Sequence, residues 1–244
     1  MRRRLPLAVA VGLIIGLAST EAPASASTHR LSAEAAYTAA LHLTGTQSVH
    51  FVSRAVEGST VLDVVGDTGT TDGSQVLAIQ SGSTIDALEV ILIGATGYVR
   101  ANTTALEKVL GLSASQAKSM TSTWLSFPAG DASYADLVGG LLDKDVPREL
   151  AISGPYTWGG SKTIGGHATR AIKGFTTGAS NSAPIPIEIY VEKGSKPRPL
   201  QEDTDPTAAT GTTVNSTVTF SRWGERIHPR APSKSVPLAS LTGG

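Results

Sequence analysis

The sequence contains no cysteine, although its beginning has the pattern of a secretion signal. Three arginines at positions 2–4 precede an apolar run over residues 5–17, and residues 22–26 supply small side chains at an A-x-A cleavage motif. The apolar run, about 13 residues long, is shorter than the roughly 20 residues that a membrane-spanning helix needs. We therefore expect residues 1–26 to be a signal peptide, and the exported chain to fold on a hydrophobic core without disulfides.

The charge balance excludes one large class of partners. The chain has 20 basic and 20 acidic residues, and only 16% of its positions are charged. Proteins that bind nucleic acid usually present a basic stripe, so we expect no nucleic-acid partner. We predict a single domain over residues 27–236, a flexible tail over 237–244, and no integral membrane segment after signal cleavage.

Short segments rich in β-branched residues, separated by turn residues, dominate the chain and predict an antiparallel sheet. The predicted strands are 49–56, 60–66, 74–80, 87–93, 97–102, 167–175, 184–191, 200–204 and 212–220, with a brief extended piece at 124–127. The predicted helices are 33–43, capped by Ser32, then 104–110, a helix opened by the capping box at 113–116, and 133–142. This order predicts an α+β fold with the helices gathered on one face of the sheet.

One short motif has the form of a catalytic loop. Asp67-Thr68-Gly69-Thr70 matches the D-T-G-[ST] string of aspartic proteases, whose chemistry needs two carboxyls sharing a proton. The sequence has no second copy of this string, so only a homodimer could supply the pair. The simpler interpretation is a polar hairpin loop over residues 66–73.

Other polar clusters predict no metal or cofactor site. The five histidines lack the spacing of zinc ligands, and residues 154–163 have the composition of a turn rather than of a phosphate-binding loop. Glu202, Asp203 and Asp205 form a small acidic cluster, which we interpret as a solvated strand end. We therefore expect no catalytic residue, no metal and no cofactor.

Several segments, in this order, resemble the actinobacterial LppX/LprG type of cell-envelope lipoprotein. They follow the alanine-rich first helix and are Ser48-Val49-His50-Phe51, Gly97-Tyr98-Val99-Arg100-Ala101-Asn102, Gly111-Leu112-Ser113, Trp124-Leu125-Ser126-Phe127-Pro128, Asp131-Ala132-Ser133-Tyr134 and Phe220-Ser221-Arg222-Trp223-Gly224-Glu225. Together they extend over roughly residues 32–232, nearly the whole chain after the signal. The chain departs from the family at residues 22–27, where the cysteine that anchors the lipoproteins is missing.

The resemblance implies a strongly curved antiparallel half-barrel with helices packed on its concave face. It also implies an apolar cavity between sheet and helices that holds the acyl chains of a lipid, glycolipid or other hydrophobic ligand. Strand alternation then gives the candidate ligand-binding residues Phe51, Val65, Leu77, Ile79, Leu92, Ile187, Ile189 and Val218, and the facing helix adds Leu137, Val138 and Leu141. A register error of one residue would move a whole strand's residues to the other face.

The sequence leaves two alternatives to this non-enzymatic ligand-binding protein. One is a structural or interaction protein of the envelope with a filled core, and the other is the dimeric protease that would use Asp67. In each case we expect a protein that is secreted or held in the wall or periplasmic space without a lipid anchor. Envelope proteins are possible partners.

Overall fold

The computed structural model describes residues 31–131, 133–176, 184–204 and 214–242. The expected signal peptide lies outside these residues. The strands are β1 (Val49–Glu57), β2 (Thr60–Thr68), β3 (Asp72–Ser81), β4 (Thr84–Ile93), β5 (Thr96–Ala101), β6 (Leu125–Pro128), β7 (Ser153–Trp158), β8 (Thr163–Ile164), β9 (His167–Thr176), β10 (Ile185–Glu192), β11 (Pro199–Thr204), β12 (Val214–Ser221) and β13 (Val236–Pro237). The helices are α1 (Ala33–Thr44), α2 (Thr103–Lys108), α3 (Ala114–Met120), α4 (Tyr134–Val138), α5 (Val146–Glu149) and α6 (Ala239–Thr242), with a 3₁₀ turn at Asp143–Asp145.

The strands form one large sheet that does not close. Its order is β13-β6-β5-β4-β3-β2-β1-β12-β11-β10-β9-β7, and β8 pairs with β9 outside this path. Apart from the parallel pair β13–β6, the named strand pairs are antiparallel. The expected α+β fold with a curved antiparallel sheet is confirmed.

Local sequence signals set the helix starts. The Ser32 side chain accepts a hydrogen bond from the Ala35 amide at the start of α1, and Asn102 does the same for α2 through the Ala105 amide. At α3 the Ser113 side chain and the Gln116 side chain bond each other's backbone amides, which is the predicted capping box. These caps explain why the first three helices begin close to their predicted positions.

The region around residues 133–164 differs from the prediction. The single helix expected over 133–142 is shorter, because the chain leaves helical geometry at Gly139 (φ −53°, ψ 130°) and the following Gly140 adopts a left-handed φ of +80°. The segment expected to be a turn contains the strands β7 and β8. Glycine and proline in β7 weaken the strand signal, but β7 forms an edge of the sheet, where proline is tolerated.

Two separate hydrophobic clusters lie against the face of the sheet that carries the helices, called here the inner face. The first cluster lies under β4 and β5 and includes Leu92, Leu106, Phe127 and Leu141. The second includes Tyr37, Leu150, Ile172 and Ile189, with α1 lying against β7 and β9. The core is thus divided between the two ends of the sheet.

The C-terminal segment, expected to be a flexible tail over 237–244, packs on the first cluster as far as it is described. Val236 and Pro237 pair with Leu125 and Ser126 of β6, and Leu238 is only 1% exposed. The side-chain amide of Gln116 also donates to the Leu241 carbonyl at 2.6 Å. The correction has a physical reason: two prolines at 232 and 237 suggest a loose tail, but an extended segment can still pair with an edge strand.

None of the helices in the described part of the chain is both long and apolar enough to cross a membrane.

Candidate functional site

Strand registers place one row of directly opposed residues across the inner face. In order from β9 to β5 the row consists of Ile172, Ile189, Glu202, Val218, Ser53, Val64, Leu77, Leu88 and Ala101. Seven of its nine members are apolar, so the row connects the two hydrophobic clusters. Glu202 is its single ionisable member.

The middle of the inner face is less covered than its ends. The described helices pack mainly on β4 and β5 at one end and on β7 and β9 at the other. Between these ends, half-buried apolar residues line β12, β1, β2 and β3, and we call this set the central strip: Phe51, Ala55, Leu62, Leu77, Ile79 and Val218. The strip is therefore apolar surface that the described helices do not fully cover.

Phe51 lies across the neighbouring strand because that strand has a glycine there. Gly66 is directly opposite Phe51, and a methyl group added to Gly66 would lie 2.6 Å from the Phe51 ring. The Phe51 ring therefore packs directly on the backbone of β2.

The candidate ligand-binding residues fall into three places. Leu92, Leu137, Val138 and Leu141 are buried in the first cluster, and Ile187 and Ile189 in the second. Phe51, Leu77, Ile79 and Val218 belong to the central strip. Whether these residues bind a ligand stays a prediction.

Val65 is on the other face of the sheet. It is 45% exposed and lies directly opposite Val52 and Val76, which are also exposed. The inner residues of β2 are the even-numbered ones, including Leu62 and Val64. Two consecutive valines at 64 and 65 gave the alternation no way to distinguish the faces, so the error is a one-residue shift.

The prediction for Glu202 is also wrong: this residue was expected in solvent, but it is buried. Its expected position was a solvated strand end, but it is only 9% exposed and lies between Ile189 and Val218 on the inner face. Within the described residues its carboxyl has no hydrogen bond or ion pair. Burial raises the pKa of Glu202 to about 8, and the negative charges of Glu149 and Asp203 act in the same direction. The carboxyl is therefore mostly protonated at pH 7.

The neighbouring Asp203 shows the contrast between the two faces. Its carboxylate accepts hydrogen bonds from Lys162, Gln201 and Thr217 at 3.0, 2.6 and 3.0 Å. Successive residues of β11 point to opposite faces, so one acid is well partnered and the other is buried among apolar groups.

Tyr37 of α1 is electrostatically coupled to Glu202. Burial raises the pKa of Tyr37 to about 12, and the charge of Glu202 contributes to the same shift. The Tyr37 hydroxyl accepts a hydrogen bond from the Ile152 amide at 2.8 Å and lies 3.2 Å from the Leu150 carbonyl. It therefore fastens α1 to the segment between α5 and β7, above the buried end of the row.

A polar cluster lies on the outer face, opposite the helices. Asp67 was expected in a hairpin loop over 66–73, but it lies within β2, because the connection between β2 and β3 is limited to residues 69–71. Its carboxylate is 2.9 Å from His50 Nδ1 and accepts a hydrogen bond from Arg222 at 3.1 Å. The bonds made to Asp67 by described side chains thus come from basic groups, whereas a protease pair shares a proton between two carboxyls.

The arrangement of the residues in this cluster does not place a base next to a nucleophile. Asp67 is directly opposite both His50 and Ser74, so the acid stands between the histidine and the serine. Nucleophilic catalysis needs the histidine next to the hydroxyl that it deprotonates. We therefore assign no catalytic role to this cluster.

Two cavities adjoin the polar cluster. One of 280 Å³ is lined by His50, Asp67, Ser74, Arg222 and the segment 225–229, and one of 590 Å³ is lined by residues 46–48, 69–72 and 224–227. Neither cavity is lined by a candidate ligand-binding residue. In the described ranges, no group of three or more His, Cys, Asp or Glu residues could hold a metal ion.

No protein-family model matches the sequence, and no curated protein matches it. Solved structures do resemble it. The structure of LprF from Mycobacterium bovis has a TM-score of 0.55 at 16% identity and covers 83% of this chain and 97% of its own. The Mycobacterium tuberculosis lipoprotein LppX has a TM-score of 0.48 at 14% identity, with 80% and 97% coverage. The chain has an LppX/LprG-like fold, as the sequence resemblance implied.

Proposed function

We propose that this chain is an exported, non-enzymatic protein that binds a lipid or another hydrophobic ligand on the inner face of its sheet. The observation that supports the proposal is the central strip, which lies between two packed clusters and is only half-buried. The free energy falls when an apolar ligand covers such an apolar surface and removes it from water.

The chemistry of the strip suits acyl chains. Its side chains are aliphatic apart from Phe51, and the adjacent Ser53 is small. Each buried methylene contributes about 0.8 kcal/mol, so a chain of eight or more carbons can bind without any polar contact. This favours lipids over small polar molecules.

Residues 22–27 contain no cysteine to which an anchoring lipid could be attached. We propose a carrier that moves freely in the envelope or beyond it, or that associates with the wall, rather than one tethered through its own lipid. The wall or other envelope proteins would then be its partners for loading and release.

A charge placed in the strip tests the proposal. Ile79 belongs to neither hydrophobic cluster, so we expect Ile79→Asp to leave the fold intact and to weaken uptake of a fluorescent fatty acid at least about tenfold, because the acyl chain would be buried against a carboxylate. The matched control is Val76→Asp, at an exposed position on the other face of the same strand. It should bind as the unchanged protein does.

Native mass spectrometry after mild extraction gives the second measurement. We expect a ligand-bound mass for the unchanged protein and for Val76→Asp, and an apo mass for Ile79→Asp. Equal uptake by both variants would place the ligand elsewhere.

The filled-core alternative also has support. Leu92, Leu141 and Ile189 are completely or almost completely buried by protein atoms, so part of the predicted ligand site already has its packing partners. An exclusively apo mass, together with no fatty-acid uptake by the unchanged protein, would identify an envelope structural or interaction protein.

A further inference from the structure

Glu202 is the feature that a purely apolar site does not explain. A glutamate side chain that is nine-tenths buried costs stability unless it has a partner, and in the described structure it has none. A leucine or valine at this position would continue the apolar row from Ile189 to Val218. No described residue bonds this carboxyl, so its hydrogen-bonding groups are available to a ligand on the inner face.

We infer that Glu202 binds an uncharged polar group of the ligand, so that the site selects neutral lipids carrying a hydroxyl or ester group next to their acyl chain. This inference rests on the proposed function, because it concerns the same ligand on the same face. Glu202 lies directly opposite Val218 of the central strip. An acyl chain bound along the strip would reach Glu202 at the border of the second hydrophobic cluster.

The surroundings of Glu202 favour a neutral partner over a cationic or anionic one. Its direct neighbours in the sheet are Ile189 of β10 and Val218 of β12, and the charged groups that act on it most strongly are the carboxylates of Glu149 and Asp203. These supply no positive charge. The raised pKa keeps the carboxyl protonated near pH 7, so it offers one O–H donor and one carbonyl acceptor. A hydroxyl or an ester carbonyl complements this pair.

The experiment compares three competitors for one apolar site. N-phenyl-1-naphthylamine, an uncharged fluorescent apolar probe, is loaded on the full protein and displaced by 1-monooleoylglycerol, by 1-octadecene or by oleylamine. At pH 7 we expect the monoacylglycerol to displace the probe best, because its hydroxyl and ester groups bond a neutral carboxyl, octadecene has no polar group, and oleylamine would bury an ammonium that no carboxylate neutralises.

Two substitutions identify the role of the carboxyl. Glu202→Gln keeps an uncharged donor and acceptor of similar shape, so its preference for the monoacylglycerol should be unchanged. Glu202→Leu removes both groups, and its preference should fall about 3- to 10-fold, the range expected for one net hydrogen bond. Probe uptake is measured for all three proteins, and the preference of each is expressed as the ratio of displacement by the monoacylglycerol to displacement by octadecene.

Raising the pH gives an independent signature. Between pH 7 and pH 9 the preference of the unchanged protein for the monoacylglycerol should change as Glu202 ionises, because the carboxyl exchanges its O–H donor for a charged acceptor, whereas Glu202→Gln should show a flat profile. This comparison decides the matter even if Glu202→Leu fails to fold.

The outcomes separate this inference from the proposed function. No uptake of the fluorescent probe by the unchanged protein would overturn the proposed function itself. Normal uptake with an undiminished preference in Glu202→Leu, an equal loss in both variants, parallel pH profiles, or strongest displacement by oleylamine would overturn only the role of Glu202.

Discussion

At the scale of single residues, burial and partners matter more than residue type. Glu202 and Asp203 are consecutive acids on one strand, yet one lies among apolar side chains and the other accepts three hydrogen bonds. The difference comes from the two faces of β11 and has a measurable consequence for the stability of the fold.

We predict that Glu202 makes the protein less stable as the pH rises from about 4.5 to about 8. Its folded-state pKa of about 8 lies above the ordinary value of 4.5, so in this window the folded state binds more protons than the unfolded state. The free energy of unfolding then falls by at most about 1.4 kcal/mol per pH unit. Urea denaturation at pH 5, 6.5 and 8 should show this loss, and Glu202→Gln should lack it. Identical slopes in both proteins would contradict the prediction.

At the scale of elements, the pairing of strands creates close contacts that neither strand contains alone. Gly97 of β5 lies directly opposite Phe127 of β6, and the fully buried Phe127 ring occupies the space above it. The ring also makes an edge contact with Tyr134 of α4, with 6.0 Å between the ring centroids. One glycine thus allows a strand, its neighbour and a helix to pack together.

We predict that Gly97→Ala destabilises the protein by about 1–3 kcal/mol, because the added methyl group would collide with the Phe127 ring and force the core to shift. The matched control is Gly160→Ala. A methyl group there would meet nothing within 4 Å, and we expect a change within about 0.5 kcal/mol. Thermal and urea denaturation measure both changes, and equal stabilities of the two variants would refute the packing argument.

At the scale of the whole molecule, one sheet joins distant parts of the chain. The first five strands form a meander, and β12 returns to pair with β1, which adds β11, β10, β9 and β7 to the same sheet. At the opposite edge the C-terminal β13 pairs with β6 and brings Leu238 into the first cluster. The end of the described chain is therefore part of the core.

We predict that Leu238→Ala lowers the free energy of unfolding by about 2–5 kcal/mol, as expected when a buried leucine leaves a cavity. Leu31→Ala, at a leucine that is 39% exposed, is the control and should change stability by about 0.5 kcal/mol or less. A loose tail would give the opposite result, with two indistinguishable variants.

The strands other than β7, β8 and β13, the capped helices and the α+β class could be predicted from the sequence because they depend on local signals. Alternating branched side chains identify a strand, and Ser32 or the Ser113–Gln116 pair identifies a helix start, whatever the rest of the chain does. The candidate site was only partly predictable. Phe51, Leu77, Ile79 and Val218 follow from alternation, but Val64 and Val65 are the same residue type, so only pairing with β1 and β3 distinguishes their faces.

The sequence by itself therefore establishes where most of the strands and the capped helices lie, and that the chain resembles a known fold. Tertiary structure alone determines that Glu202 is buried, that the core is split in two and that Leu238 closes one end. The physical reason is that burial is a property of non-local neighbours. Glu202 lies between Ile189 of β10 and Val218 of β12, and local sequence carries no information about which distant segments will meet.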